Sequence, residues 1–412
     1  MKNICVSDLG QIVTGKTPRT SVRENYGGTT PFLTPTDLNG YKFIDKTASY
    51  LTEIGLAEVY NCLLPEGSIC FTCIGNIGNV VKLQKPSVTN QQFNSVIVNS
   101  NYDSEYVYYM LRIIGTLLKE KIGNNSTVLP IISKSRFSEI RISVEVNKEI
   151  QNKLANILSL IDDKIILNTR MNAELEAMAK QLYDYWFVQF DFPDENGNPY
   201  KSSGGKMVYN PTLKREIPAG WELEYLGNLM YFSNGINYDK NIVGDKEYNI
   251  INVRNITSST VFIVKDDLDR ITLPQANAKK YMIDEEDIII ARSGTPGATR
   301  LIDSPKDTIY CGFIIKGSPK YPWMKYYLFN KLKQLEGTDA TKTGGSILQN
   351  VSQDTLKGLP LVVPPKINVD MFNETIIRLF SRLNMNLEQS AQLTHLRDSL
   401  LPMLMNGQVT VE

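Results

Sequence analysis

Residues 148–187 read KEIQNKLANILSLIDDKIILNTRMNAELEAMAKQLYDYWF, and this stretch decides the fold. Alternating steps of four and three residues from Leu154 reach Leu158, Ile161, Ile165, Asn168, Asn172, Leu175, Ala179, Leu182 and Trp186. That is the inward seam of a coiled-coil helix. The seam is largely apolar except at its middle, where Asn168 and Asn172 cost stability but can fix the register and the partner of a helix pair.

The partner lies near the end of the same chain. A shift of about 218 residues carries the seam onto Phe372, Ile376, Leu379, Leu383, Asn386, Ser390, Leu393, Arg397, Leu400 and Leu404, with both central positions again polar. The segments before each helix repeat as well. Leu9-Gly10 matches Leu226-Gly227, Gly75-x-x-Gly78 matches Gly294-x-x-Gly297, and Ser126-Thr-Val-Leu129 with Ser133 matches Gly345-Ser-Ile-Leu348 with Ser352. An antiparallel pair sets Asn168 opposite Ser390, Asn172 opposite Asn386, Leu154 opposite Leu404 and Trp186 opposite Phe372. A parallel pair also matches polar to polar, but the antiparallel one lets each domain occupy its own end of helices about 60 Å long.

The expected fold is therefore α+β: two tandem mixed globular domains separated by two long antiparallel coiled-coil helices, related by a pseudo-twofold. The boundaries read as a first domain 1–146, a central helix 147–190, a linker 191–220, a second domain 221–367 and a closing helix 368–407. Strand-like runs are Ser68–Cys73, Asn94–Val98, Asp287–Ala291 and Thr308–Ile315; shorter helices are expected at Ser104–Lys121 and Met324–Leu335. The Gly-, Pro-, Ser- and Asn-rich stretch Asp191–Pro211 reads as a loop.

A chain of 412 residues, 42% hydrophobic and 21% charged, is long enough for two or three domains with proper cores. No apolar run is long enough for a membrane span, and the start MKNICVSDLG lacks a signal peptide's basic flank and apolar core, so a cytoplasmic location without membrane contact is expected. Five scattered cysteines fit reduced thiols. The net charge is zero, with 14 basic against 11 acidic residues over 1–142 and 16 against 17 over 216–345. A nucleic-acid reader so balanced needs its cations gathered on one face, or a basic partner.

Catalytic motifs are mostly missing. The single histidine, His395, sits on the closing helix, which removes Ser-His, Cys-His and HExxH chemistry. Cys70-x-x-Cys73 is half a zinc ribbon without its second pair, and on a strand the two thiols face opposite ways, so no metal site is expected. Asp194-x-Asn196-Gly197 lacks the rest of a calcium loop, and no phosphate-binding GxxxxGK[ST] loop exists. Asn198-Pro-Tyr200 lacks the second proline of the adenine-methyltransferase signature Asn-Pro-Pro-Tyr. Binding chemistry remains. Loops of the first domain carry Lys16, Thr17, Arg19, Asn90, Gln91 and Gln92, and those of the second carry Arg254, Asn255, Arg292, Ser293, Arg300, Lys342 and Thr343. Asn and Gln pair bidentately with adenine and Arg with guanine, so these residues are candidate DNA contacts. Polar side chains populate any surface loop, which leaves open a scaffold with two protein-binding or glycan-binding modules. A stand-alone enzyme is disfavoured by the missing motifs.

Residues 151–192 (QNKLANILSLIDDKIILNTRMNAELEAMAKQLYDYWFVQFDF), 194–222 (DENGNPYKSSGGKMVYNPTLKREIPAGWE) and 396–409 (LRDSLLPMLMNGQV) are where the chain most resembles the specificity subunit of Type I restriction-modification systems. The likeness runs through nearly the whole chain. It implies that each mixed domain is a target recognition domain reading one part of a split double-stranded DNA site, and that the helices act as a ruler for the unread spacer. It also implies a non-catalytic chain that docks two methylation subunits and, through them, restriction subunits. S-adenosylmethionine, ATP and magnesium would be bound by those partners, with no cofactor in this chain, and the target adenine would be flipped into the partner's pocket.

Overall fold

The computed structural model describes residues 1–44, 46–123, 131–238, 244–336 and 351–409. It divides into two compact units, residues 1–167 with 389–412 and residues 168–388, so that each long helix contributes one half to each unit.

In the first unit, β2 (Gly10–Thr14), β8 (Phe93–Val98), β5 (Ile69–Thr72) and β6 (Val80–Lys82) form an antiparallel sheet in the order β2-β8-β5-β6. A second sheet runs β4 (Ser49–Leu51), β3 (Tyr26–Leu33), β7 (Val88–Thr89), and β1 (Lys2–Cys5) pairs with β9 (Arg141–Val144). Successive residues of β5 feed different cores. Ile69 and Phe71 pack with the helix residues Leu154, Leu158, Leu401 and Leu404, while Cys70 packs with Phe32, Leu33 and Val88 of the smaller sheet. A strand apolar on both faces reads as a continuous hydrophobic run rather than an alternating one. The alternation also separates the thiols, because Cys70 lies in one core and Cys73 in the other.

The second unit repeats this order strand for strand. Its four-stranded sheet is β13 (Met230–Asn234), β19 (Ile314–Pro319), β16 (Ile288–Ala291), β17 (Thr299–Arg300). Its three-stranded sheet is β15 (Asp269–Leu273), β14 (Lys246–Ile251), β18 (Thr308–Tyr310), and β12 (Glu222–Tyr225) pairs with β20 (Pro360–Val363). Ile288 and Ile290 again face the helices, and Ile289 and Ala291 face the smaller sheet. The run Thr308–Ile315, expected as one strand, is split between β18 and β19.

The stretch Asp191–Pro211 is not only a loop. Met207–Asn210 (β10) pairs with Arg215–Pro218 (β11), and Phe192 stacks on Tyr200 and on Trp221, centroids 4.7 and 4.9 Å away. Its glycines and prolines concealed a segment whose aromatic residues join the unit's core.

The long helices are Lys148–Tyr183, which continues as a π-helical turn Asp184–Val188, and Lys366–Met405. Within the second unit they run antiparallel: Asn172 Oδ1 accepts from Asn386 Nδ2 at 2.9 Å, and Trp186 meets Phe372 with ring centroids 6.1 Å apart. Asn168 Nδ2 donates to the Asn386 carbonyl at 3.4 Å. Ser390 belongs to the first unit, where its carbonyl accepts from the Thr394 hydroxyl. The buried stripe departs from a strict heptad seam. Asp162, Tyr183, Phe380 and Leu401 are buried, whereas Ile161, Leu182, Leu379 and Leu400 are half-buried, as expected when a helix of 3.6 residues per turn drifts against a 3.5 repeat.

That drift brings a charge inside the first unit. Asp162, 4% exposed, accepts from Arg397 Nη1 at 2.8 Å and from the Tyr109 hydroxyl at 2.7 Å, and Arg397 Nε donates to Asp398 at 2.8 Å. Burial works against the Arg397 charge, but the hydrogen bonds to Asp398 and Asp162 outweigh it and hold its pKa above the usual arginine value. Burial, reinforced by the Asp162 charge, keeps the Tyr109 hydroxyl protonated far above the ordinary tyrosine range.

Candidate nucleic-acid interface

In each unit four segments meet at one end of the four-stranded sheet, held by the same backbone hydrogen bonds. In the first unit Gly15 N–H donates to Phe93 O (3.1 Å), Lys16 N–H to Thr89 O (2.9 Å), Cys73 N–H to Gln92 O (2.7 Å), and Ile132 N–H to Cys73 O (2.9 Å). In the second, Gly235 donates to Ile314 (3.1 Å), Ile236 to Tyr310 (2.9 Å), Arg292 to Phe313 (2.9 Å), and Val351 to Arg292 (2.8 Å). Close approach of backbones explains the paired glycines. A Cβ on Gly15 would lie 2.1 Å from Asn90 O, and one on Gly235 2.2 Å from Cys311 O. The Gly75-x-x-Gly78 and Gly294-x-x-Gly297 turns follow β5 and β16, all four glycines having positive φ of 75–85°.

One frame thus carries two sets of side chains. Thr17 Oγ1 donates to Gln91 Oε1 at 2.6 Å in the first unit, where the second sets Asn237 beside Gly312. Cys73 is replaced by Arg292, and Gln92 by Phe313. A rigid platform with interchangeable tips suits recognition, because geometry is preserved while the contacting chemistry varies.

Comparison with known proteins gives the same answer over the full length. A family model described as the Type I restriction modification DNA specificity domain matches residues 1–177. The Type I restriction enzyme MjaIX specificity subunit of Methanocaldococcus jannaschii is 28% identical over 415 aligned residues, covering 99% of this chain and 93% of that one. The chain is thus similar to Type I specificity subunits, through a family model over residues 1–177 and through this relative over nearly its whole length. The HindI specificity subunit of Haemophilus influenzae is 34% identical over 182 residues, 43% of this chain and 39% of that one. A crystal structure of a Type I restriction-modification system S subunit from M. genitalium shares the fold, with TM-score 0.56 at 14% identity, covering 98% of this chain and 96% of that one.

The expected contact residues divide by burial. Lys16, Arg19, Gln91 and Arg254 are exposed; Thr17, Gln92, Arg292 and Ser293 are half-buried. Arg19 is held by Glu58, with Nη2 2.8 Å from Oε1, and this hydrogen bond drops the Glu58 carboxyl to about 2. Arg254 is likewise paired with Asp269. Three residues expected as contacts are spent inside the fold. Arg300, 5% exposed, donates Nε to the carbonyls of Ile256 and Ser259 at 3.0 and 2.7 Å and pairs with Glu336 at 3.1 Å. Asn255, 2% exposed, closes a capping box with Asn252 and donates to Asp267 O at 2.9 Å. Asn90, 8% exposed, donates to Gln92 Oε1 and accepts from Gln92 N–H. Lys342 and Thr343 lie outside the described residues.

Reading the sequence missed Asn237 and Phe313, which occupy the same frame in the second unit; aligning the two halves at Gly15 and Gly235 is the signal that finds them. Among the described residues no cluster of three or more His, Cys, Asp or Glu side chains could hold a metal ion, and no helix is long and apolar enough to cross a membrane.

Proposed function

We propose that this chain supplies the DNA address of a Type I restriction-modification complex, each mixed unit reading one part of a split double-stranded site. The observation that carries this reading is the loop frame built twice with different side chains, on a chain related along its whole length to specificity subunits. Exposed Lys16, Gln91 and Asn237 with half-buried Arg292 and Ser293 offer phosphate and base-edge contacts. The family is non-catalytic. Its chemistry would come from two methylation subunits and from restriction subunits, which would bind S-adenosylmethionine, ATP and magnesium, in the cytoplasm. The scaffold reading, with protein- or glycan-binding modules, gains nothing from the relatives.

Zero net charge gives the lone chain little electrostatic drive toward phosphate, so binding should be weak alone and tight with the methylation partner. Selection from a random duplex library by the purified chain with its methylation subunit tests this. Enrichment of a two-part site is expected, and recovery of no motif opposes the reading.

A further inference from the structure

Of the fourteen phenylalanines Phe313 alone is exposed, with 61% of its surface open. Single exposed apolar residues are common and ordinarily mean nothing. Phe313 differs in its setting. Its carbonyl accepts from Arg292 N–H at 2.9 Å, and its neighbours are pinned by Gly312 N–H to Ile236 O (2.8 Å) and Ile314 N–H to Cys311 O (3.0 Å). The ring therefore projects from a fixed base. Beside it, the Asn237 side-chain oxygen lies so close over residue 312 that a Cβ there would be 1.9 Å away, so Gly312 leaves room for the Asn237 side chain next to Phe313. Arg292 borders the same point and has no acidic partner among the described residues. The equivalent position in the first unit is Gln92, on the same Cys73-type hydrogen bond.

We propose that Phe313 is the apolar base-reading residue of the second unit and selects an A·T pair through the thymine methyl group. The inference rests on the DNA-address reading. In a paired duplex the base faces are stacked away, and the apolar group offered along the major groove is the thymine methyl, which Phe packs against. Asn237 and Arg292 flank it with hydrogen-bonding chemistry. Gln92 gives the first unit a bidentate polar group at the same place, so the two units read different base pairs from one frame.

The test repeats the library selection with the full chain in complex with its methylation subunit, comparing wild type, Phe313→Ala and Phe313→Gln, the last borrowed from the first unit. Phe313→Ala is expected to relax one A·T preference roughly three- to ten-fold in one half of the site and to leave the other half unchanged. Deoxyuridine in place of that thymine, which removes only the methyl, should weaken wild type and leave Phe313→Ala unaffected. Phe313→Gln introduces a polar tip and should shift the preferred base rather than abolish binding. An unchanged motif, or a loss spread over both halves, overturns the proposal while the address reading stands. Absence of any two-part site for wild type defeats the address reading itself.

Discussion

Removing either partner of the Asp162–Arg397 pair should loosen the first unit selectively. The pair is buried, with side chains 6% and 10% exposed, and Asp162 also serves the Tyr109 hydroxyl. Breaking a buried pair by deleting one member costs about 3–5 kcal/mol when the remaining charge is uncompensated. Here Arg397 would keep Asp398 at 2.8 Å and Asp162 would keep Arg112 at 3.9 Å, which puts each single variant at or below the low end of that range. Deleting both can be nearly neutral if the space is refilled. The repeat suggests the refill. A shift of about 218 residues places Phe380 at the position equivalent to Asp162 and Ala179 at that equivalent to Arg397, and both are 2% exposed in an apolar core. Asp162→Phe with Arg397→Ala would give the first unit the packing of the second. It still strands the Tyr109 hydroxyl, at about 1–3 kcal/mol, so Tyr109→Phe completes the exchange. Hydrogen exchange read by mass spectrometry separates the units. Asp162→Ala and Arg397→Ala should each cut protection around Leu158 and Leu401 by roughly a hundred-fold or less, with residues 250–320 unchanged, and the triple variant should recover most of it. Single variants that cost under about 1 kcal/mol would refute the pair's structural weight.

Three further outcomes are expected. Burial pushes the Cys70 thiol up to about 12 and Cys73 up to about 11, so in native protein at mildly alkaline pH iodoacetamide should spare both and modify half-exposed Cys5, as peptide mapping would reveal. Burial raises Tyr108 and Tyr310 from 10.0 to about 12, and a raised acid stabilises the fold fully below its unfolded pKa and loses that contribution as pH climbs from 10 toward 12; only the last step of the tyrosinate absorbance rise, from these buried rings, should coincide with unfolding in that window, and a titration complete before unfolding would contradict it. Arg19→Ala should lower the slope of log affinity against log salt by about one if Arg19 exchanges Glu58 for a phosphate on binding, and an unchanged slope would leave Arg19 as Glu58's structural partner.

The architecture was legible where a single physical pattern controlled it. Leu154, Leu158 and Trp186 announced the central helix by period, and Asn168 and Asn386 announced the repeat by breaking that period at equivalent places. Asp162 was hidden because a charged residue beside Ile161 looks solvated until its partner, 235 residues away, is in view. The β10–β11 hairpin was hidden by its turn-forming residues. For the interface, residue type alone misdirected. Arg300 and Asn255 have the chemistry of base readers, yet their donors satisfy backbone carbonyls inside the fold. Phe313 went unnoticed because it sits in an apolar run that looked like continuous strand. Inward and outward cannot be told apart in a loop, which has no period; the duplicated hydrogen-bond frame supplied what periodicity could not.

Sequencing of methylated adenines in the DNA of cells carrying this chain with its methylation partner bears most directly on the address function. One two-part motif that disappears when the chain is omitted is the expected result. Methylation whose pattern is the same with and without the chain would contradict it.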